Sequence, residues 1–169
     1  MERQERELRV YEYLERLGIS YERVDHEPAM TMEDCIAIDQ ALGAKMCKNL
    51  FLCNRQKTDF YLLLMPSDKP FRTKELSAQI ETARLSFADE ASMVELLDIY
   101  PGAVSVMGLM NDREKRVALL IDKDLLQDSY IGCHPCVNTS SLKIATRDIT
   151  EVFLPSTGHD YRTVTLTGE

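Results

Sequence analysis

A chain of 169 residues, 44% apolar and 28% charged, has the size and composition of one soluble globular domain, and no apolar run approaches the ~20 residues of a membrane-spanning helix. A formal net charge of -8 at pH 7 argues against the broad basic surface that binds nucleic acid non-specifically by displacing counterions, though local rims at Lys45, Lys48, Arg55 and Lys57 and at Lys69, Arg72 and Lys74 stay available. The N-terminus, Met1 to Glu7, has mixed charge and no apolar signal core, and five scattered cysteines fit free thiols in a reducing compartment, so a cytoplasmic location is expected.

Leu8, Tyr11, Leu14 and Leu17 recur every third residue, with Val10 four before Leu14, which predicts an amphipathic helix over about residues 3–17 ended by Gly18. Ile19 to Val24 alternates like a half-buried strand. Thr31-Met32-Glu33-Asp34 reads as a capping box, with Asp in place of Glu, opening a helix that closes at Gly43. A hairpin follows: Lys48 to Cys53, a polar turn at Asn54 to Thr58, and Asp59 to Met65 halted by Pro66. Phe60 to Leu64 is apolar on both sides, which places that strand inside a sheet. Thr73 is read as the cap of a short helix through Ile80, and Asp89 as the cap of another through Leu97 that turns Met93, Leu96 and Leu97 inward. Arg116 to Asp122 makes a buried strand and Leu142 to Ala145 a brief one; Thr146 opens a helix through Leu154, and Tyr161 to Thr167 forms an edge strand. Helices and strands interleave without doubly wound regularity. The expectation is one α+β domain over residues 1–169, its mixed, curved sheet flanked by helices and its core spanning about 19–167.

Two stretches stand outside what packing asks for. Ile131 to Leu142 sets Gly132, His134, Pro135, Asn138 and three hydroxyls between apolar ends, and Pro101 to Leu109 is rich in small residues; both read as loops that present groups to a ligand. Lys48 at the head of a strand is the third piece. Cys133-His134-Pro135-Cys136 is a C-x-x-C, but a structural zinc wants two more ligands, and Cys35, Cys47, Cys53, His26 and His159 supply no second pair. A redox dithiol belongs at the start of a helix after a strand, whereas Asn138, Thr139 and Ser140 follow here. There is no G-x-S-x-G elbow, no G-x-x-x-x-G-K-[ST] and no G-x-G-x-x-G, and Asp122 with Asp124 reads as a turn. The residues alone point to a site of backbone amides, small residues and one lysine. They name no reaction, and a redox or metal protein built on Cys133 and Cys136 stays open.

Taken in order, Lys48-Asn49-Leu50-Phe51-Leu52, Leu85-Ser86-Phe87-Ala88, Pro101-Gly102-Ala103-Val104-Ser105, Gly108-Leu109-Met110-Asn111-Asp112, Ile121-Asp122-Lys123-Asp124-Leu125 and Gly132-Cys133-His134-Pro135 with Asn138-Thr139 resemble the YbaK/prolyl-tRNA synthetase-associated family of aminoacyl-tRNA editing domains, in particular its free-standing prolyl-tRNA editing branch. The pieces span about residues 20–166. The resemblance implies hydrolysis of the ester that joins a wrong amino acid, typically alanine, to the tRNA for proline, with no cofactor, no metal and no membrane. Its partners are that aminoacyl-tRNA and, secondarily, prolyl-tRNA synthetase. Such an activity has a physical rationale: a synthetase pocket shaped for proline rejects a ligand smaller by a methylene by only ~1–3 kcal/mol, and a second, narrow site corrects the error.

By the same resemblance the catalytic candidates are Lys48, which holds the terminal nucleotide through its phosphate, and Gly102, Ala103 and Val104, whose backbone N–H groups face the ester carbonyl. The substrate-binding candidates are Asn49, Ser105, Val106, Gly132, Asn138 and His134, the last as a wall that excludes proline. The ribose 2′-OH of the substrate is expected to help activate water. The family loop is written G-x-x-x-P, and Val106 stands where that proline would be; an extended backbone is expected there, without proline's fixed φ. Cysteinyl- or another small aminoacyl-tRNA as substrate, and a binding module without turnover, remain as alternatives.

Overall fold

The structure, a computed structural model, describes residues 2–169. Helix α1 (Glu5–Leu17) buries Val10, Tyr11 and Leu14 and ends at Gly18, whose φ of 73° is left-handed backbone that glycine adopts without a Cβ clash. Strand β1 (Tyr21–Asp25) leads to α2 (Met32–Leu42), which opens on the expected capping box: Thr31 Oγ1 accepts from the Asp34 amide at 3.1 Å and Asp34 Oδ2 accepts from the Thr31 amide at 3.2 Å. The hairpin of β2 (Cys47–Cys53) and β3 (Phe60–Pro66) turns on Asn54, whose Oδ1 accepts from the Thr58 and Asp59 amides. Next come α3 (Thr73–Gln79), β4 (Ser86–Phe87) and α4 (Glu90–Leu97), the last capped by Asp89. The remaining strands are β5 (Val117–Asp122), β6 (Tyr130–Cys133), β7 (Ser140–Ala145) and β8 (Tyr161–Val164). Between β7 and β8 lie α5 (Thr146–Asp148), a π turn over Ile149–Phe153, and α6 (Leu154–Thr157).

The single α+β domain is built on two sheets. One is mixed, in the order β4-β2-β3-β5-β8, with β3 at its centre as its all-apolar sequence predicts; the other is antiparallel, in the order β1-β7-β6. Along β3, Leu62 and Leu64 face one core, which includes α1 and α4, while Leu63 and Met65 face a second, smaller one beneath α3. The sheets meet at a parallel bridge between Met46 and Gly132, where the Gly132 amide donates to the Lys45 carbonyl at 3.1 Å.

Four local expectations are corrected. Only half of the span 131–142 is loop: β6 and β7 pair from Tyr130↔Ala145 to Cys133↔Leu142 and leave His134 to Thr139 between them. The helix expected to be capped by Thr73 instead takes Arg72 as its cap, with no side-chain bond. The last strand stops at Val164, because the amides of Thr165 and Thr167 are taken by the side chains of Gln79 and Glu75 on α3. Val106 is not extended; it begins a 3-10 turn through Asn111 that Ser105 caps, its hydroxyl accepting from the Met107 amide.

The junction between the sheets depends on a missing side chain. A Cβ on Gly132 would sit 2.8 Å from the Lys45 carbonyl oxygen and 3.0 Å from Met46 Cα, both backbone atoms held in the bridge. Gly132→Ala is therefore expected to cost about 2 kcal/mol by overpacking, a fall in Tm of about 6 °C for a chain of this size. Thermal unfolding followed by circular dichroism checks this, and an unshifted Tm would show that the junction yields.

Candidate functional site

The turn Tyr100-Pro101-Gly102-Ala103 closes through the Ala103 amide donating to the Tyr100 carbonyl at 3.2 Å, with Gly102 at φ 92°. Proline at the second position and glycine at the third is the pattern of a type II turn. It commits the Ala103 amide, and the Ala103 side chain is buried. Of the three backbone groups expected to face a carbonyl, Ala103 is thereby corrected to a frame residue. Gly102 and Val104 line a small hollow, and among the described residues neither amide has a hydrogen-bond partner.

That hollow, about 220 Å³, is lined by Gly102, Val104, Asn49, Cys47 and His134. A second, of about 230 Å³, shares Cys47 and His134 with it and adds Lys48, Ser67, Ser141 and residues of α2. The sequence-distant pieces therefore converge: the head of β2, the Gly102 turn and the His134 loop line two adjoining hollows. Alternation along β2 explains the split, since Asn49 and Lys48 point to opposite faces of the strand. Asn138 joins the site from behind, its Nδ2 3.5 Å from where a Cβ of Gly102 would be. Ser105, Val106 and Gly132 are not brought to the lining. Ser105 and Val106 are fully inaccessible, the first occupied as a cap and the second packed in the core, and Gly132 is spent on the sheet junction.

The polar groups are held in place. Lys48 Nζ donates to the Lys69 carbonyl at 2.8 Å, and Asn49 Nδ2 donates to the Cys47 carbonyl at 3.1 Å, leaving Asn49 Oδ1 without a partner. His134 Nδ1 lies 2.9 Å from the Ser140 carbonyl, which can only accept, so this nitrogen carries the proton and the neutral ring keeps a lone pair on Nε2. Burial holds the His134 pKa below the ordinary histidine value; the Ser140 carbonyl opposes this and His26 reinforces it. Behind Ser140 stands an ion network: its hydroxyl donates to Asp25 at 2.6 Å and lies 3.2 Å from Glu7, and Arg3 bridges the two carboxylates.

The thiols are frame. Cys133 and Cys136 are buried in the core, and burial raises both, Cys136 to about 12, so neither offers a thiolate near neutral pH. Sequence reading missed Cys47 and Ser141 as lining residues, and it left His26 isolated although its ring centroid is 6.3 Å from that of His134 and its Nε2 is 2.8 Å from Ser141 Oγ. The strand alternation of β2 could have given Cys47; nothing local points to His26.

Comparison with known proteins bears on this geometry. Residues 26–152 match the model of the aminoacyl-tRNA editing domain family. The chain is 30% identical over 153 residues to the prolyl-tRNA editing protein ProX of Acetoanaerobium sticklandii, covering 90% of this chain and 93% of that one. It is 31% identical over 152 residues to the prolyl-tRNA synthetase associated domain-containing protein 1 of Xenopus laevis, covering 88% and 89%. A crystal structure described as a candidate trans-editing enzyme for prolyl tRNA synthetase shares the fold, with a TM-score of 0.73 at 18% identity over 98% of this chain and 99% of that one.

Proposed function

Because this chain belongs to the aminoacyl-tRNA editing domain family, we propose that it is a trans-acting deacylase that hydrolyses mischarged tRNA for proline, with the alanyl ester as its main substrate. The observation that carries this reading is the convergence of Asn49, the Gly102 turn and His134 on a hollow of about 220 Å³, smaller than the ~300–1,000 Å³ of a typical ligand pocket and suited to a short acyl group. Water adds to the ester carbonyl carbon, and the oxyanion is stabilised by the Gly102 and Val104 amides. Collapse releases the ribose 3′-oxygen, which takes up a proton, and leaves free alanine and intact tRNA. Lys48 holds the terminal phosphate and the substrate's 2′-OH assists the water, so no side chain acts as nucleophile. Prolyl-tRNA synthetase is a partner consistent with the names of the vertebrate relatives.

Purified protein incubated with alanyl-, cysteinyl- and prolyl-tRNA for proline is expected to shorten the life of the alanyl ester most and to spare the prolyl ester. An alanyl ester as long-lived with the protein as without it would remove the proposal.

A further inference from the structure

The second face of β2 leads away from Lys48. Side chains two residues apart share a face, so Lys48, Leu50 and Leu52 form one row. The register Leu52↔Phe87 sets Phe87 of β4 beside the end of that row. Phe87 is 62% exposed, and its ring meets that of Phe71 edge to face, with centroids 6.0 Å apart. Phe71 packs on the smaller core and lies two residues after Lys69, whose carbonyl anchors Lys48. The row sets Leu52, beside Phe87, roughly 13 Å from Lys48 at the rise of a strand, with Leu50 half-buried between them and Leu52 itself buried in the smaller core.

The segments that carry the two rings meet a second time. Lys74, three residues after Phe71, and Arg84, three before Phe87, line one hollow beside α3 with Ser77 and Ala78. Both cations are exposed. Among the described residues neither has a carboxylate partner, whereas Lys57 and Lys69 are paired with Asp89 and with Asp122 and Asp124. Two exposed cations without a carboxylate partner therefore lie within three residues of exposed Phe87 and half-buried Phe71. Aromatic faces that stack bases, flanked by cations that meet phosphates, are the chemistry of single-stranded nucleic-acid binding.

We propose that the strip formed by Phe71, Phe87, Lys74 and Arg84 binds the unpaired 3′ end of an RNA, stacking a base on Phe87 and leading the terminal nucleotide to Lys48. This deepens the deacylase reading and rests on it for the identity of the RNA. The test is a binding measurement that needs no turnover: fluorescence anisotropy with uncharged tRNA for proline and with a short single-stranded RNA ending in CCA. Phe87→Ala is expected to weaken both about tenfold and Phe87→Tyr to restore binding. Lys74→Ala with Arg84→Ala should lower the slope of log K against log salt by about 1.4, at ~0.7 per phosphate contact. Both variants alter exposed side chains, and the double variant tests the strip even if Phe87→Ala does not fold. Unchanged affinity and salt slope in all variants would overturn the proposal, as would loss of prolyl-tRNA synthetase binding with RNA affinity intact, which would make the strip a protein interface. Weakened RNA binding by the variants of a wild type that cleaves no ester would leave the strip standing and remove the deacylase reading instead.

Discussion

Lys48→Ala is expected to lower kcat/KM for alanyl-tRNA deacylation about 100-fold while leaving the fold intact. Lys48 is half-buried at the head of β2, with its ammonium bound to the Lys69 carbonyl at 2.8 Å and open to the hollow it shares with His134. A hydrogen bond to a charged group contributes ~1.5–3 kcal/mol, and the upper end is expected here because, among the described residues, Lys48 is the only Lys or Arg at the lining of either hollow. About 2.7 kcal/mol corresponds to 100-fold in rate. The bond to Lys69 is a neutral acceptor's bond on a surface loop, so its loss should move Tm by only about 3 °C. Lys48→Arg should not rescue, because a planar guanidinium does not reproduce the compact ammonium that donates to the Lys69 carbonyl. Single-turnover deacylation alongside a thermal melt separates the two effects, and a Lys48→Ala protein that cleaves at the wild-type rate would take the lysine out of the site.

The fold was legible where local rules decide. The capping box at Thr31, the Asp89 cap, the helix ends at Gly18 and Gly43 and the apolar run of β3 all appear as read, because each is fixed by residues within a few positions of one another. What failed was set by distant partners. Span 131–142 has loop-forming residues, yet β1, lying more than a hundred residues earlier, pairs with β7 over Tyr21↔Ile144 to Asp25↔Ser140 and draws Ser140 and Ser141 into a strand. Tertiary acceptors from α3 cut short the final strand in the same way. In the site, the residue types were legible but not which of their groups were free. The Ala103 amide is lost to a turn whose Pro-Gly signal was present in the sequence, while Ser105 is lost to a cap that becomes visible only once the 3-10 turn at Val106 is known.

His134→Ala is expected to abolish discrimination against the prolyl ester, lowering the alanyl-to-prolyl ratio of kcat/KM by about 100-fold, the scale on which a hydrophobic or steric pocket sorts ligands that differ by a few carbons. The imidazole lines both hollows and is fixed there by the Ser140 carbonyl, whose residue is tied in turn to Asp25 and Glu7. His134 lines both hollows, of about 220 and 230 Å³, so its removal is expected to open one toward the other and to give a pyrrolidine room. The same ring sets a pH dependence. Because burial lowers its pKa from the ordinary histidine value, His134 is held neutral at pH 7 and takes its proton at a more acidic pH than a free imidazole does, with His26 facing it. The imidazolium, beside the substrate's own ammonium group, should then repel the aminoacyl end, so activity is expected to be constant above about pH 6.5 and to fall on acidification. In His134→Ala that acid limb should disappear together with the discrimination. A variant that still rejects prolyl-tRNA, or one that keeps the acid limb, would assign the wall and the titration to other groups.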